Sequence, residues 1–123
     1  NPKAGVEIKI CQANEVPHEW NIFDIGPQTI GEFGSALRGI KTVLWNGPMG
    51  IFEIPEFSKG TNELAKIIGS LPGATTIVGG GSTVEAITSI GLEEEFTHVS
   101  TGGGASLEFL EGQILPGIKP LYK

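Results

Sequence analysis

A single cysteine, Cys11, stands in a chain of 123 residues. No internal disulfide can form, and the side chain is expected as a small buried group. Long apolar runs are missing as well: nothing approaches a membrane span, and no signal-peptide pattern opens the chain. Basic residues are scarce. Eight Lys and Arg against 14 Asp and Glu leave a net charge of −6, which argues against a general nucleic-acid or membrane-binding surface. Histidine is confined to His18, read as an exposed or loosely packed loop residue, and His98, read as structural; no Cys/His cluster has metal-ligand spacing. A P-loop is excluded because no Gly-x-x-x-x-Gly-Lys-Ser/Thr segment exists. Val84 stands where a dinucleotide fingerprint beginning at Gly79 needs its last glycine. Ser82 and Ser106 have no histidine near them in sequence, so a hydrolase triad is without support. The chain opens on Asn1 rather than Met, and is read as an excerpt of a cytoplasmic protein.

What is abundant is glycine, with 19 residues, and proline, with 8. Both fall between periodic segments, so they punctuate structure rather than make low-complexity sequence. Val6–Ile10 alternates apolar and polar residues as a half-buried strand does, and a second short strand is expected over Trp20–Ile25. Pro27 suits the first turn of a helix, where its missing N–H costs nothing. Ile30, Phe33 and Leu37 then recur at helical spacing up to Gly39, with Arg38 on the surface. Thr42–Trp45 lacks alternation and predicts a strand covered on both faces. Leu64, Ile67, Ile68 and Leu71 mark an amphipathic helix that Pro72-Gly73 ends. A strand over 74–78 follows. Ser82 and Glu85 fit a capping box at the start of the next helix, whose apolar face is Val84, Ile87 and Ile90. Glu93-Glu94-Glu95 reads as a solvated charge run. Val99 centres a further strand, and a short helix with Leu107 and Leu110 inward precedes an irregular tail.

Strand, helix, strand, helix, strand, helix is the order of a parallel sheet with right-handed crossovers. The expected fold is α/β: a Rossmann-like three-layer αβα arrangement with a mostly parallel sheet, present as a partial domain. In such sheets ligands gather beyond the carboxyl ends of the strands. Three breaker-rich turns follow strands here: 46–53, Gly79-Gly80-Gly81 and Gly102-Gly103-Gly104. All three should open on one edge. The glycine triplets each lead into a helix, whose first N–H groups and positive dipole end suit an anion. Neither triplet carries a basic residue, so any phosphate would be held by backbone amides. The large apolar residues of 46–53 either line a ligand or cap the core.

These residues resemble a known family. Trp45-Asn46-Gly47-Pro48-Met49-Gly50-Ile51-Phe52-Glu53, Gly79-Gly80-Gly81 and Ser100-Thr101-Gly102-Gly103-Gly104-Ala105-Ser106-Leu107-Glu108 are similar to the C-terminal signatures of phosphoglycerate kinase. Asp24-Ile25-Gly26-Pro27 and Leu115-Pro116-Gly117 match it in the same order. The resemblance implies that residues 1–123 are the C-terminal part of the nucleotide-binding domain, without the N-terminal substrate domain. It implies a glycolytic kinase that transfers a phosphoryl group between 1,3-bisphosphoglycerate and ADP, giving 3-phosphoglycerate and ATP, with magnesium on the nucleotide. A cytoplasmic monomer with no nucleic-acid or membrane partner is expected. By the same resemblance, Asn46, Pro48, Gly50 and Ile51 line the nucleoside pocket and Glu53 binds the ribose hydroxyls. Gly80, Gly81, Ser82 and Thr83 lie along the phosphates, and Gly103 and Gly104 face the phosphoryl group in flight. One departure stands out: Ser82 occupies the position where the family usually has a magnesium-binding carboxylate, and a neutral hydroxyl is a poorer ligand for a hard cation. The segment alone is expected to be inactive. The alternatives are an isolated fragment that binds nucleotide or phosphate without turnover, and a structural α/β piece whose glycines serve only its turns.

Overall fold

The computed structural model describes residues 3–101. The second glycine triplet, Gly102–Gly104, and the helix expected after it lie outside the described residues. Within them, helix α1 spans Pro27–Ala36, strand β1 Thr42–Asn46 and helix α2 Lys59–Gly69. Strand β2 (Thr75–Gly79), helix α3 (Gly81–Ser89) and strand β3 (His98–Ser100) complete the order. Short 3-10 turns sit at Ala13–Glu15, Pro55–Phe57 and Glu93–Glu95. The three strands are parallel in the order β1-β2-β3. Parallel neighbours need a long crossover, and α2 and α3 supply the two required.

One face of the sheet makes the core. Val43, Trp45 and Val78 meet Leu64, Ala65 and Ile68 of α2, Ile87 of α3, and Phe96. Ala65, Val78 and Ile87 are fully buried. The helical periodicity of α2 is what places Leu64 and Ile68 inward, one turn apart. The end of the sheet away from the strand carboxyl termini is closed by a reciprocal pair. The amide of Thr76 donates to Thr97 Oγ1 (2.9 Å) and the amide of Thr97 donates to Thr76 Oγ1 (3.0 Å), tying β2 to the chain entering β3.

Several expectations need correction. β1 alternates between exposed and buried residues rather than being covered on both faces, and Leu44 is 38 % exposed. The run is continuously apolar in sequence, yet the described residues leave its second face open to solvent. Val6–Ile10 is not a strand: Ile8 is 56 % and Ile10 73 % exposed, and no described strand lends it a backbone partner. Alternation alone cannot make a strand when the ladder hydrogen bonds have nowhere to go. Trp20–Ile25 is likewise no strand, although Phe23 and Asp24 are tied in by other means. Cys11 is exposed, not buried, because it sits on that same uncovered N-terminal segment. The capping box also fails to form. The carbonyl of Gly80 accepts from Val84 N–H at 3.0 Å, so Gly80 is the N-cap and Ser82 is already the second helical residue.

The two faces of the sheet differ enough to give a direct test. Ile87→Ala should destabilise the chain by about 2–5 kcal/mol, the usual range for emptying a buried aliphatic site. Leu44→Ala should cost under about 1 kcal/mol. Urea denaturation of both variants checks the order, and equal costs would contradict the described burial.

Candidate functional site at the carboxyl edge of the sheet

The register fixes where the turns open. Asn46 is paired with Gly79, and Gly79 with Ser100, so all three strands end at one level. The 46–53 loop and the 79–81 triplet therefore leave from the same edge, as expected from their order in the chain. They also touch. Gly80 has φ +95°, a conformation side chains rarely adopt, and a Cβ there would come within 3.4 Å of Asn46 Nδ2 and 3.5 Å of Thr83 Oγ1. The amide of Gly47 donates to Thr83 Oγ1 at 2.7 Å. Its carbonyl accepts from the Trp45 indole N–H, also at 2.7 Å.

Further along the loop the backbone is pinned again. Thr61, fully buried on α2, accepts from the amides of Met49 (3.1 Å) and Gly50 (3.3 Å). The amide of Ile51 donates to the carbonyl of Phe23 at 3.1 Å. Asp24 closes the set. Its Oδ1 accepts from Ile25 N–H and its Oδ2 from Gly60 N–H, each at 2.8 Å. Gly60 lies in the first turn of α2, so a carboxylate from a distant segment caps that helix with favourable dipole sign. Glycine is required at both neighbours. A Cβ at Gly50 would strike the Asp24 carboxylate and the Phe57 carbonyl, and one at Gly60 would strike Asp24 and Ile25.

Of the residues expected at a site, Asn46, Gly80 and Thr83 are thus brought together. Pro48, Gly50 and Ile51 are half-buried along the same loop. Glu53 is exposed in the turn that follows. At the start of α3, Gly81 and Ser82 are exposed. Thr83 is fully buried, with its hydroxyl oxygen engaged by Gly47. Gly103 and Gly104 lie outside the described residues. Sequence reasoning missed Asp24 and Thr61 as supports. The available signal was Gly60, a glycine in the opening turn of an otherwise regular helix, which suggests close approach by another group.

The described side chains do not by themselves accommodate a magnesium ion. Among the described residues no group of three His, Cys, Asp or Glu could hold a metal. Ser82 offers only a neutral, exposed hydroxyl.

A parallel sheet with loops converging at its carboxyl edge, and a helix starting there on glycines, defines an α/β protein of the kind in which ligands gather beyond the strand carboxyl ends. Comparison with known proteins makes this specific. The family model for phosphoglycerate kinase matches residues 2–113, and the chain belongs to the phosphoglycerate kinase family. It is 58 % identical over 107 residues to phosphoglycerate kinase from Oenococcus oeni, covering 85 % of this chain and 26 % of that protein. To a phosphoglycerate kinase of Thermus thermophilus it is 52 % identical over 119 residues, covering 97 % of this chain and 30 % of the relative. Among solved structures, phosphoglycerate kinase from Coxiella burnetii superimposes with a TM-score of 0.73 at 47 % identity, covering 81 % of this chain and 26 % of that one. The enzyme from Pyrococcus horikoshii gives 0.76 at 40 % identity, covering 85 % and 25 %. The chain thus spans between about a quarter and three-tenths of the length of these relatives.

The bond between Gly47 and Thr83 gives the prediction here. Thr83→Val keeps the shape but leaves the half-buried Gly47 amide without its acceptor, which costs about 1–3 kcal/mol. Thr83→Ser should retain most of the stability. Urea denaturation measures both, and a Val variant as stable as the unsubstituted chain would remove this bond from the account.

Proposed function

We propose that this chain supplies part of the nucleotide site of a phosphoglycerate kinase, the phosphotransferase of glycolysis that passes a phosphoryl group between 1,3-bisphosphoglycerate and ADP. The observation that carries this reading is how the backbone amides are used along the rim. Those of Gly47, Met49, Gly50 and Ile51 are all taken by the protein itself. Those of Gly81 and Ser82 have no acceptor among the described residues, and both residues are exposed.

A loop whose amides are occupied offers apolar side chains and carbonyls, which suit a nucleoside. Free amides at a helix start suit phosphate oxygens. On this reading Asn46, Pro48, Gly50 and Ile51 line the nucleoside pocket, and Glu53 meets the ribose hydroxyls. Gly80, Gly81 and Ser82 run along the phosphates, and Thr83 contributes from beneath by holding the two turns together. Gly103 and Gly104 face the transferring group. Magnesium belongs to this reading as a companion of the nucleotide's phosphates and lowers their net negative charge. The protein's share of the chemistry is positioning and charge stabilisation, which is most of what phosphoryl transfer asks of an enzyme. We assign the chain to a cytoplasmic, monomeric enzyme. No helix among the described residues is long and apolar enough to cross a membrane.

Gly81 permits a clean test, because a Cβ there meets nothing within 4 Å and its φ is ordinary. Gly81→Ala should leave thermal stability unchanged or slightly raised. ADP affinity, measured by calorimetry or Trp45 fluorescence, should fall about tenfold or more, as expected for disturbing hydrogen bonds to a charged group. Undiminished affinity would move the phosphates away from this turn.

A further inference from the structure

We infer that Asp24 is a positioning residue for the nucleoside end of the site, setting where the 49–51 loop stands without touching the ligand. The inference rests on the nucleotide reading above. Asp24 reaches the loop by three routes. It holds the head of α2 through Gly60 N–H at 2.8 Å, and Thr61, the next residue on that helix, carries the amides of Met49 and Gly50. It fixes its own segment through Ile25 N–H at 2.8 Å, and the preceding residue, Phe23, receives Ile51 N–H at 3.1 Å. Third, it packs directly on Gly50, where there is no room for a Cβ. The Phe23 ring adds to this clamp by lying against Phe57, with centroids 5.2 Å apart and planes tilted by 53°.

The contacts of this clamp fall on the 49–51 stretch, the head of α2, Ile25 of its own segment and Phe57. None falls on Gly80, Gly81 or Ser82, which are tied to the rim through Asn46, Gly47 and Thr83. The two ends of the site therefore have separate supports. An anionic carboxylate accepts two amide donors at once, one on each oxygen. An asparagine has a single accepting oxygen, and its NH2 would face one of those donors. The glycines at 50 and 60 leave no space for a longer side chain, so glutamate should not replace aspartate.

The test uses adenosine, pyrophosphate and ADP as separate probes, with binding measured by calorimetry on the unsubstituted chain, Asp24→Asn and Asp24→Glu. The expected result is a loss of adenosine and ADP affinity of about tenfold in both variants, with pyrophosphate affinity within a factor of about two. Equal loss for all three probes would show a purely structural role and overturn the inference, and unchanged adenosine affinity would overturn it as well. If a variant does not fold, the unsubstituted chain still decides. Adenosine should shift the amide resonances of Ile25 and Gly60, which pyrophosphate should leave in place; absence of that difference overturns the inference. Failure of the unsubstituted chain to bind ADP at all would instead overturn the nucleotide reading, and this inference with it.

Discussion

A loop that packs against the core must find acceptors for its amides, because an unpaired buried N–H forfeits roughly the worth of a hydrogen bond. In this chain the side-chain oxygens of Thr83 and Thr61, with the carbonyl of Phe23, meet that demand between Gly47 and Ile51. Asp24 holds the supports themselves together. The shape of the sheet's carboxyl edge follows from these few acceptors. Thr61 and Thr83 are fully buried because their hydroxyls face the loop's backbone rather than solvent.

The same arrangement separates two kinds of surface. Where amides are consumed, the loop presents half-buried Pro48, Gly50 and Ile51. Where the chain turns through Gly80 into α3, the first helical amides stay open and carry the positive end of the dipole. On the proposed nucleotide reading this polarity gives the rim an end suited to a nucleoside and an end suited to phosphate. Ser82 sits at the second of these without adding charge.

The elements legible in sequence are those whose signal is local. Leu64, Ile67 and Ile68 announce α2 by spacing, Pro27 opens α1, and Gly91 with φ +70° follows the end of α3. That the 46–53 loop and the 79–81 triplet leave from one edge follows from element order alone, whereas the register that levels Asn46, Gly79 and Ser100 does not. The supports of the site are not legible, because each joins residues distant in the chain. Asp24 and Gly60 are 36 positions apart, as are Gly47 and Thr83. Gly60 signals a close approach, but no local pattern identifies its partner. Val6–Ile10 shows the opposite failure. Its alternation is a real local signal, but a strand exists only with a neighbour, and no described strand provides one. Ser82 reads as a cap in sequence because three consecutive glycines leave the helix start ambiguous by two residues.

The central claim, that the 47–51 amides are engaged while those opening α3 are open, is tested most directly by residue-resolved amide hydrogen exchange on the chain without ligand. The account predicts slow exchange at Gly47, Met49, Gly50 and Ile51 and fast exchange at Gly81 and Ser82, with ADP slowing the second pair. Fast exchange along 47–51, or protection of Gly81 and Ser82 before any ligand is added, would contradict it.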